Sequence, residues 1–267
     1  MTGLPDTLLA DSISKPGPDC AGRVVVTGSH GGVFAAFLAR KAGVRAAIFH
    51  DAGVGLDRAG IGGLDWLAAQ GMAAAAVDHA SAAIGQAAQI LEHGIISHAN
   101  APAAALGVVA DMSCKAATEC LQAAVMPTGT CPEVREGRIE TTPEKTKRRL
   151  ILVDSASLVT PDDAGQVIVT GSHGALFGTD PANALKAQGY LALFNDAGGA
   201  ATTRLPVLQD RGIAAATVAA NSARIGEAQS TWQDGVISAL NDSAAAIGAK
   251  VGVPARDLVA LALAGHS

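Results

Sequence analysis

A series of polar motifs occurs twice in this chain, in the same order. Residues 9–14 read Leu-Ala-Asp-Ser-Ile-Ser, and residues 152–157 read Leu-Val-Asp-Ser-Ala-Ser. Residues 22–31, Gly-Arg-Val-Val-Val-Thr-Gly-Ser-His-Gly, return at 165–174 as Gly-Gln-Val-Ile-Val-Thr-Gly-Ser-His-Gly. Ile48-Phe-His-Asp-Ala-Gly53 is matched by Leu193-Phe-Asn-Asp-Ala-Gly198, and Ser81-Ala-Ala-Ile-Gly85 by Ser222-Ala-Arg-Ile-Gly226. Gly94-Ile-Ile-Ser-His-Ala-Asn100 is matched by Gly235-Val-Ile-Ser-Ala-Leu-Asn241. The separation between partners drifts by only a few residues, so five ordered matches point to internal duplication.

Within each copy, short β-branched or Ala-rich runs alternate with stretches that are apolar at helical spacing. The first copy predicts strands at 24–27, 45–49 and 72–77, and helices at 33–41, 59–70 and 82–92. A further helix follows from Ala101. The second copy predicts strands at 167–170, 191–194 and 214–218. Alternating βα units imply parallel sheets covered by helices. The expected fold is α/β and internally duplicated: two similar βαβα units related by a pseudo-twofold, with one continuous sheet as the competing arrangement. The domains read as 1–110, a helical and charged connector at 111–149, and 150–267. Residues 112–124 look helical. The charge clustered over 133–149 suits a solvated connector or hairpin, or a flap whose basic end attracts an anion.

Composition narrows the function. Of 267 residues, 49% are hydrophobic and 16% charged, which excludes a disordered chain. A net charge of −5 leaves no surplus of Lys and Arg to neutralise phosphates, so nucleic acid is not the expected partner. Aromatics at 3% argue against a Tyr- and Trp-rich docking surface. No apolar run approaches the ~20 residues of a membrane span. Residues 1–11 lack the basic and apolar regions of a secretory signal. The four cysteines have no CxxC spacing and read as free thiols of a reducing compartment. The expectation is a cytoplasmic, homo-oligomeric protein with a small-molecule substrate that bears a carboxylate.

The repeated motifs fall at the carboxyl ends of the predicted strands, where parallel sheets bind ligands. There, Ser29-His30-Gly31 and Ser172-His173-Gly174 place a hydroxyl and an imidazole on glycine turns whose N–H groups can face a ligand. Asp51 and Asp196 can orient an imidazole or act as bases, or cap the next helix. His30, His173, Asp51, Asp196, Ser29 and Ser172 are therefore the catalytic candidates. Arg224 suits bidentate capture of a carboxylate. Ser222, Ser81, Gly31, Gly174 and Asn195 complete the expected substrate contacts, although a Ser at such a position is also an ordinary helix cap. The halves differ: His50, His79 and His98 in the first stand where the second has Asn195, Asn221 and Leu240. This gives a weaker alternative, a divalent metal held by His30, His50, Asp51 and His79. No other cofactor is expected.

Within each copy, the order apolar strand, Ser-His-Gly, helix, apolar strand, polar residue before Ala-Gly is similar in outline to the caspase-like fold. That fold carries a catalytic His in such a turn and a Cys after the next strand. Here the second position is Asp51 or Asp196, so the resemblance does not imply cysteine-protease chemistry. No dinucleotide or Walker pattern occurs.

These residues lead first to a hydrolase of an amide, cyclic amide or ester, working by His/Asp acid–base chemistry. The glycine-turn N–H groups would stabilise the oxyanion. Proton abstraction beside a carbonyl, as in a lyase or isomerase, uses the same groups. A non-catalytic two-lobed binding protein or structural subunit is the reading from a different class.

Overall fold

The computed structural model describes residues 4–144, 146–178 and 180–264. Lys145, in the charged stretch, lies outside the described residues. The chain divides into two compact units, Met1–Val54 with Arg58–Arg135, and Gly55–Asp57 with Glu136–Ser267.

The first unit is built on a five-stranded sheet, β1 (Thr7–Ala10), β2 (Val24–His30), β3 (Ala46–His50), β4 (Ala73–Val77) and β5 (Ile96–Ala99), in that spatial order. The first four strands are parallel and β5 runs antiparallel to β4. All five residues of β3 and of β4 are buried, as their continuous apolar sequence requires of strands covered on both faces. Helices α1 (Val33–Lys41) and α2 (Gly62–Ala68) pack on the face that carries Val25, Ala47, Phe49, Ala74 and Ala76. The opposite face presents Val24, Val26, Ile48, Ala75 and Val77 to α3 (Ala87–His93), α4 (Ala101–Ala104) and α5 (Cys114–Leu121). The period-two alternation of side chains thus gives three layers.

The second unit holds a six-stranded sheet, β6 (Arg138–Thr141), β7 (Leu150–Val153), β8 (Val167–His173), β9 (Leu191–Asn195), β10 (Ala214–Val218) and β11 (Ile237–Leu240), paired in that order. Strands β7 to β10 are parallel, and the two edge strands are antiparallel to their neighbours. One face packs against α7 (Ala228–Gln233), α8 (Asp242–Ala246) and α9 (Ala255–Ala264). The other packs against α6 (Arg204–Asp210) and the loop residues Ala184, Leu185 and Ala187.

Of two elements in this unit, one meets the hairpin alternative for the charged stretch and one differs from the sequence reading. The charged stretch contributes edge strand β6, where alternating charged side chains suit a solvated rim. Its guanidiniums are paired: Arg138 Nη2 lies 2.8 Å from the buried Asp163 carboxylate, and Arg149 Nη1 lies 2.7 Å from Glu140. Among the described residues, the second unit also has no counterpart of α1. A single turn, Pro181–Asn183, stands in that connection. Arginines hold its backbone instead: Arg204 donates to the carbonyls of Ala175 and Ala184, and Arg211 to those of Leu185 and Ala187. Burial lowers the Arg204 pKa to about 10.

Among the described residues, no helix is long and apolar enough to cross a membrane.

Candidate functional site

Most of the repeated polar residues tie loops together, and they do so alike in both units. At the end of β3, His50 Nδ1 accepts the Ala52 N–H at 3.0 Å, and its Nε2–H donates to the Ala82 carbonyl at 3.0 Å. At the end of β9, Asn195 Oδ1 accepts the Ala197 N–H, and its Nδ2 donates to the Ala223 carbonyl. Both polar ends of His50 and of Asn195 are therefore engaged within the fold. Burial lowers the His50 pKa, so the ring is neutral.

Ser81 and Ser222 act as latches. Each Oγ donates to the carbonyl three residues back, of Asp78 or Ala219. Each also accepts one backbone N–H, from Ile95 or Val236. Ser29 Oγ accepts the Ile13 N–H, and Ser172 Oγ accepts the Ala156 N–H. Among the described residues, no hydrogen bond joins Ser29 to His30, as a serine nucleophile and its base would require.

The glycine turns are also occupied. The N–H of Gly31 donates to the His50 carbonyl at 2.9 Å, and that of Gly174 to the Asn195 carbonyl at 2.8 Å. Neither N–H is free for the expected oxyanion role. Gly28 is dictated by close approach: a Cβ there would sit 2.5 Å from the Asp11 carbonyl oxygen, and at Gly171 it would meet the Glu227 nitrogen at 2.5 Å.

The expectation for Arg224 is corrected by its partners. Its guanidinium donates from Nε to Glu227 at 2.7 Å and from Nη1 to Asp57 at 2.9 Å, and Nη2 lies 3.5 Å from Asp234. Three carboxylates hold it, which raises its pKa and leaves no free fork for a substrate.

Among the described residues, one ring nitrogen of His30 is engaged in a hydrogen bond within the fold. Its Nδ1 accepts the Gly32 N–H at 3.1 Å, an approach that glycine alone permits, because a Cβ on Gly32 would lie 2.7 Å from the ring. Burial, with a smaller effect of His50, lowers the His30 pKa to about 4. The neutral ring therefore carries its proton on Nε2, as a hydrogen-bond donor.

The two units part company beside the repeated aspartate. Asp51 Oδ1 accepts the N–H groups of Gly53 and His79, and Asp196 Oδ1 accepts those of Gly198 and Ala220. These bonds set the correspondence: His79 stands opposite Ala220, one position from the Asn221 of the sequence reading. In the first unit, His79 Nδ1 lies 3.2 Å from Asp51 Oδ1 and 3.2 Å from Asp78 Oδ1. That nitrogen is sealed from solvent and makes no hydrogen bond. Asp51 is buried, whereas His79 and Asp78 are 35% and 46% exposed, so the cluster is buried behind and open in front. Asp51, Asp78 and His79 form the group that brings possible ligand atoms within 4.8 Å of one another among the described residues. This differs from the expected set, because His50 has no nitrogen to offer and His30 lies outside the group. His98 binds Ser97 on β5 instead, and it stands opposite Ala239, one position from the Leu240 of the sequence reading. Asp78, beside His79 in the sequence, belongs to the candidate His/carboxylate cluster but not to the expected ligand set.

The backbone after Asp51 is strained. Ala52, Val54, Asp57 and Arg58 have φ of 52°, 61°, 52° and 59°. A β-branched Val in this left-handed region costs about 1–3 kcal/mol, and such strain gathers at functional sites.

A second ionisable group that the sequence did not disclose is Glu136. Burial raises its pKa to about 7, while a hydrogen bond with Ser155 opposes the shift and the nearby Asp154 adds to it.

Compared with protein-family models, curated proteins and solved structures, the chain matches none.

Proposed function

We propose that this protein is a hydrolase of a small polar molecule, cleaving an amide, cyclic amide or ester at the carboxyl ends of β2, β3 and β4 in the first unit. One observation carries the reading: the imidazole of His79 is backed at Nδ1 by the buried Asp51 and by Asp78, both at 3.2 Å. With two carboxylates beside one ring nitrogen, the other ring nitrogen is the one suited to take a proton from water. His30, neutral and protonated at Nε2, supplies a donor to the developing oxyanion. This role passes to it from the glycine turns, whose N–H groups are engaged. Asp51 is fixed by two backbone N–H groups and needs no further ordering.

We read the two units as copies of one duplicated α/β unit. The matching bonds of His50 and Asn195, of Asp51 and Asp196, and of Ser81 and Ser222 support this. The second copy keeps the scaffold, but with Ala219 and Ala220 it lacks the imidazole and the second carboxylate.

The test is turnover of a panel of small amides, cyclic amides and esters by the wild type, His79→Gln, His30→Gln and His173→Gln. The reading expects His79→Gln to lose at least ~100-fold in kcat/KM, as loss of a general base does. Loss confined to His173→Gln would move the site to the second unit.

A further inference from the structure

We propose that Asp51, Asp78 and His79 bind a divalent first-row transition cation. The argument rests on the spacing of the donor atoms and concerns binding alone, so it does not depend on the hydrolytic reading. Ligand atoms at ~2.1 Å from a metal stand ~3.0 Å apart along an octahedral edge and ~3.4 Å apart along a tetrahedral one. His79 Nδ1 is 3.2 Å from an oxygen of each aspartate, between these two values. At the same time it forms a hydrogen bond with neither, although it is closed to water. A buried ring nitrogen without a hydrogen bond is costly unless something else occupies its lone pair.

The donor set fits the class of cation. Two carboxylates balance a charge of +2, and one imidazole with two carboxylate oxygens suits Mn2+ or Zn2+. Asp51 Oδ1 also accepts the N–H groups of Gly53 and His79, and Asp78 Oδ1 that of Ala80 at 2.8 Å, which fixes both oxygens in place. The exposed sides of Asp78 and His79 leave room for water in the remaining coordination positions. On binding, the Nδ1 lone pair of His79 goes to the cation and the ring hydrogen resides on Nε2. Water activation would then belong to the cation instead of the ring. The second unit is an internal comparison: Asp196 is held by the equivalent two N–H contacts, but Ala219 and Ala220 stand where the first unit has Asp78 and His79, and no such set occurs there among the described residues.

The experiment is titration of EDTA-stripped full-length protein with Mn2+, followed by loss of the free-ion EPR signal. Mn2+ is chosen because, as a hard cation, it avoids the four free thiols. The wild type is expected to take up one Mn2+ per chain, which added Zn2+ displaces. Asp78→Ala and His79→Gln, both at partly exposed positions, are expected to weaken uptake at least ~10-fold while keeping the wild-type circular dichroism. Wild-type protein that binds neither ion overturns the proposal, as does equal binding by both variants. Binding without hydrolysis would leave this inference standing and remove the hydrolytic reading; hydrolysis by protein that binds no ion would do the reverse.

Discussion

His50 and Asn195 make the same two hydrogen bonds, one to the N–H two residues ahead and one to an alanine carbonyl across the sheet end. An imidazole in one unit and a carboxamide in the other thus close the same loop. His50→Asn is expected to shift stability by less than ~1 kcal/mol. His50→Ala leaves the Ala52 N–H and the Ala82 carbonyl unpaired and should cost about 1–3 kcal/mol. Urea unfolding midpoints of the two variants check this.

Asn100 and Asn241 are buried, and each bonds four backbone groups. Asn100 Oδ1 accepts from Ala74 and Ala103, and its Nδ2 donates to Leu64 and Met72. Asn241 repeats this with Ala215, Ala244, Leu205 and Ile213. Asn100→Ala and Asn241→Ala should each destabilise by about 3 kcal/mol or more, because several buried groups lose partners at once. Thermal melts of the two variants should show losses of similar size.

Stability should depend on pH through His30. Its pKa is lowered from 6.5 to about 4 by burial, so the unfolded chain binds more protons between these values. The contribution of this group is therefore complete above pH ~6.5 and is lost as the pH falls toward 4. Glu136 has the opposite sign. Its pKa is raised from 4.5 to about 7, so stability from this group declines as the pH rises through that window. Denaturant melts between pH 4 and 8 should show a smaller acid-side loss in His30→Gln and a smaller decline toward neutral pH in Glu136→Gln.

Gly28 and Gly171 are predicted to resist substitution. A Cβ would meet backbone at 2.5 Å in each case, and backbone cannot swing aside as a side chain can. Gly28→Ala and Gly171→Ala should each cost about 3 kcal/mol or more. Soluble yield and unfolding midpoint report the loss.

Much of the scaffold was legible because buried parallel strands leave an unmistakable trace. The run Val24-Val-Val-Thr27 and its partner Val167-Ile-Val-Thr170 are both central strands. Helix 33–41 was readable to the residue because its apolar spacing ends at Lys41 before Gly43. Edge strand β6 was legible only as the hairpin alternative, since a solvated rim carries charges that look like a linker. The single turn that stands in place of α1 among the described residues was hidden as well, because Arg204 and Arg211 satisfy that loop from a distance. At the site, the sequence marked Asp51 and Asp196 as equivalents, and locally they are. What separates them is contributed by the next strand end, where one unit has Asp78-His79 and the other Ala219-Ala220. The expectation for Arg224 met Asp57 and Asp234, two carboxylates that no local motif announces.

The most direct measurement of the central claim is kcat/KM for hydrolysis of a small amide, cyclic amide or ester by the wild type and by His79→Gln. The account predicts turnover by the wild type and a loss of at least ~100-fold in the variant, with its circular dichroism unchanged. Turnover by His79→Gln at the wild-type rate, or no hydrolysis of any such substrate by the wild type, would contradict it.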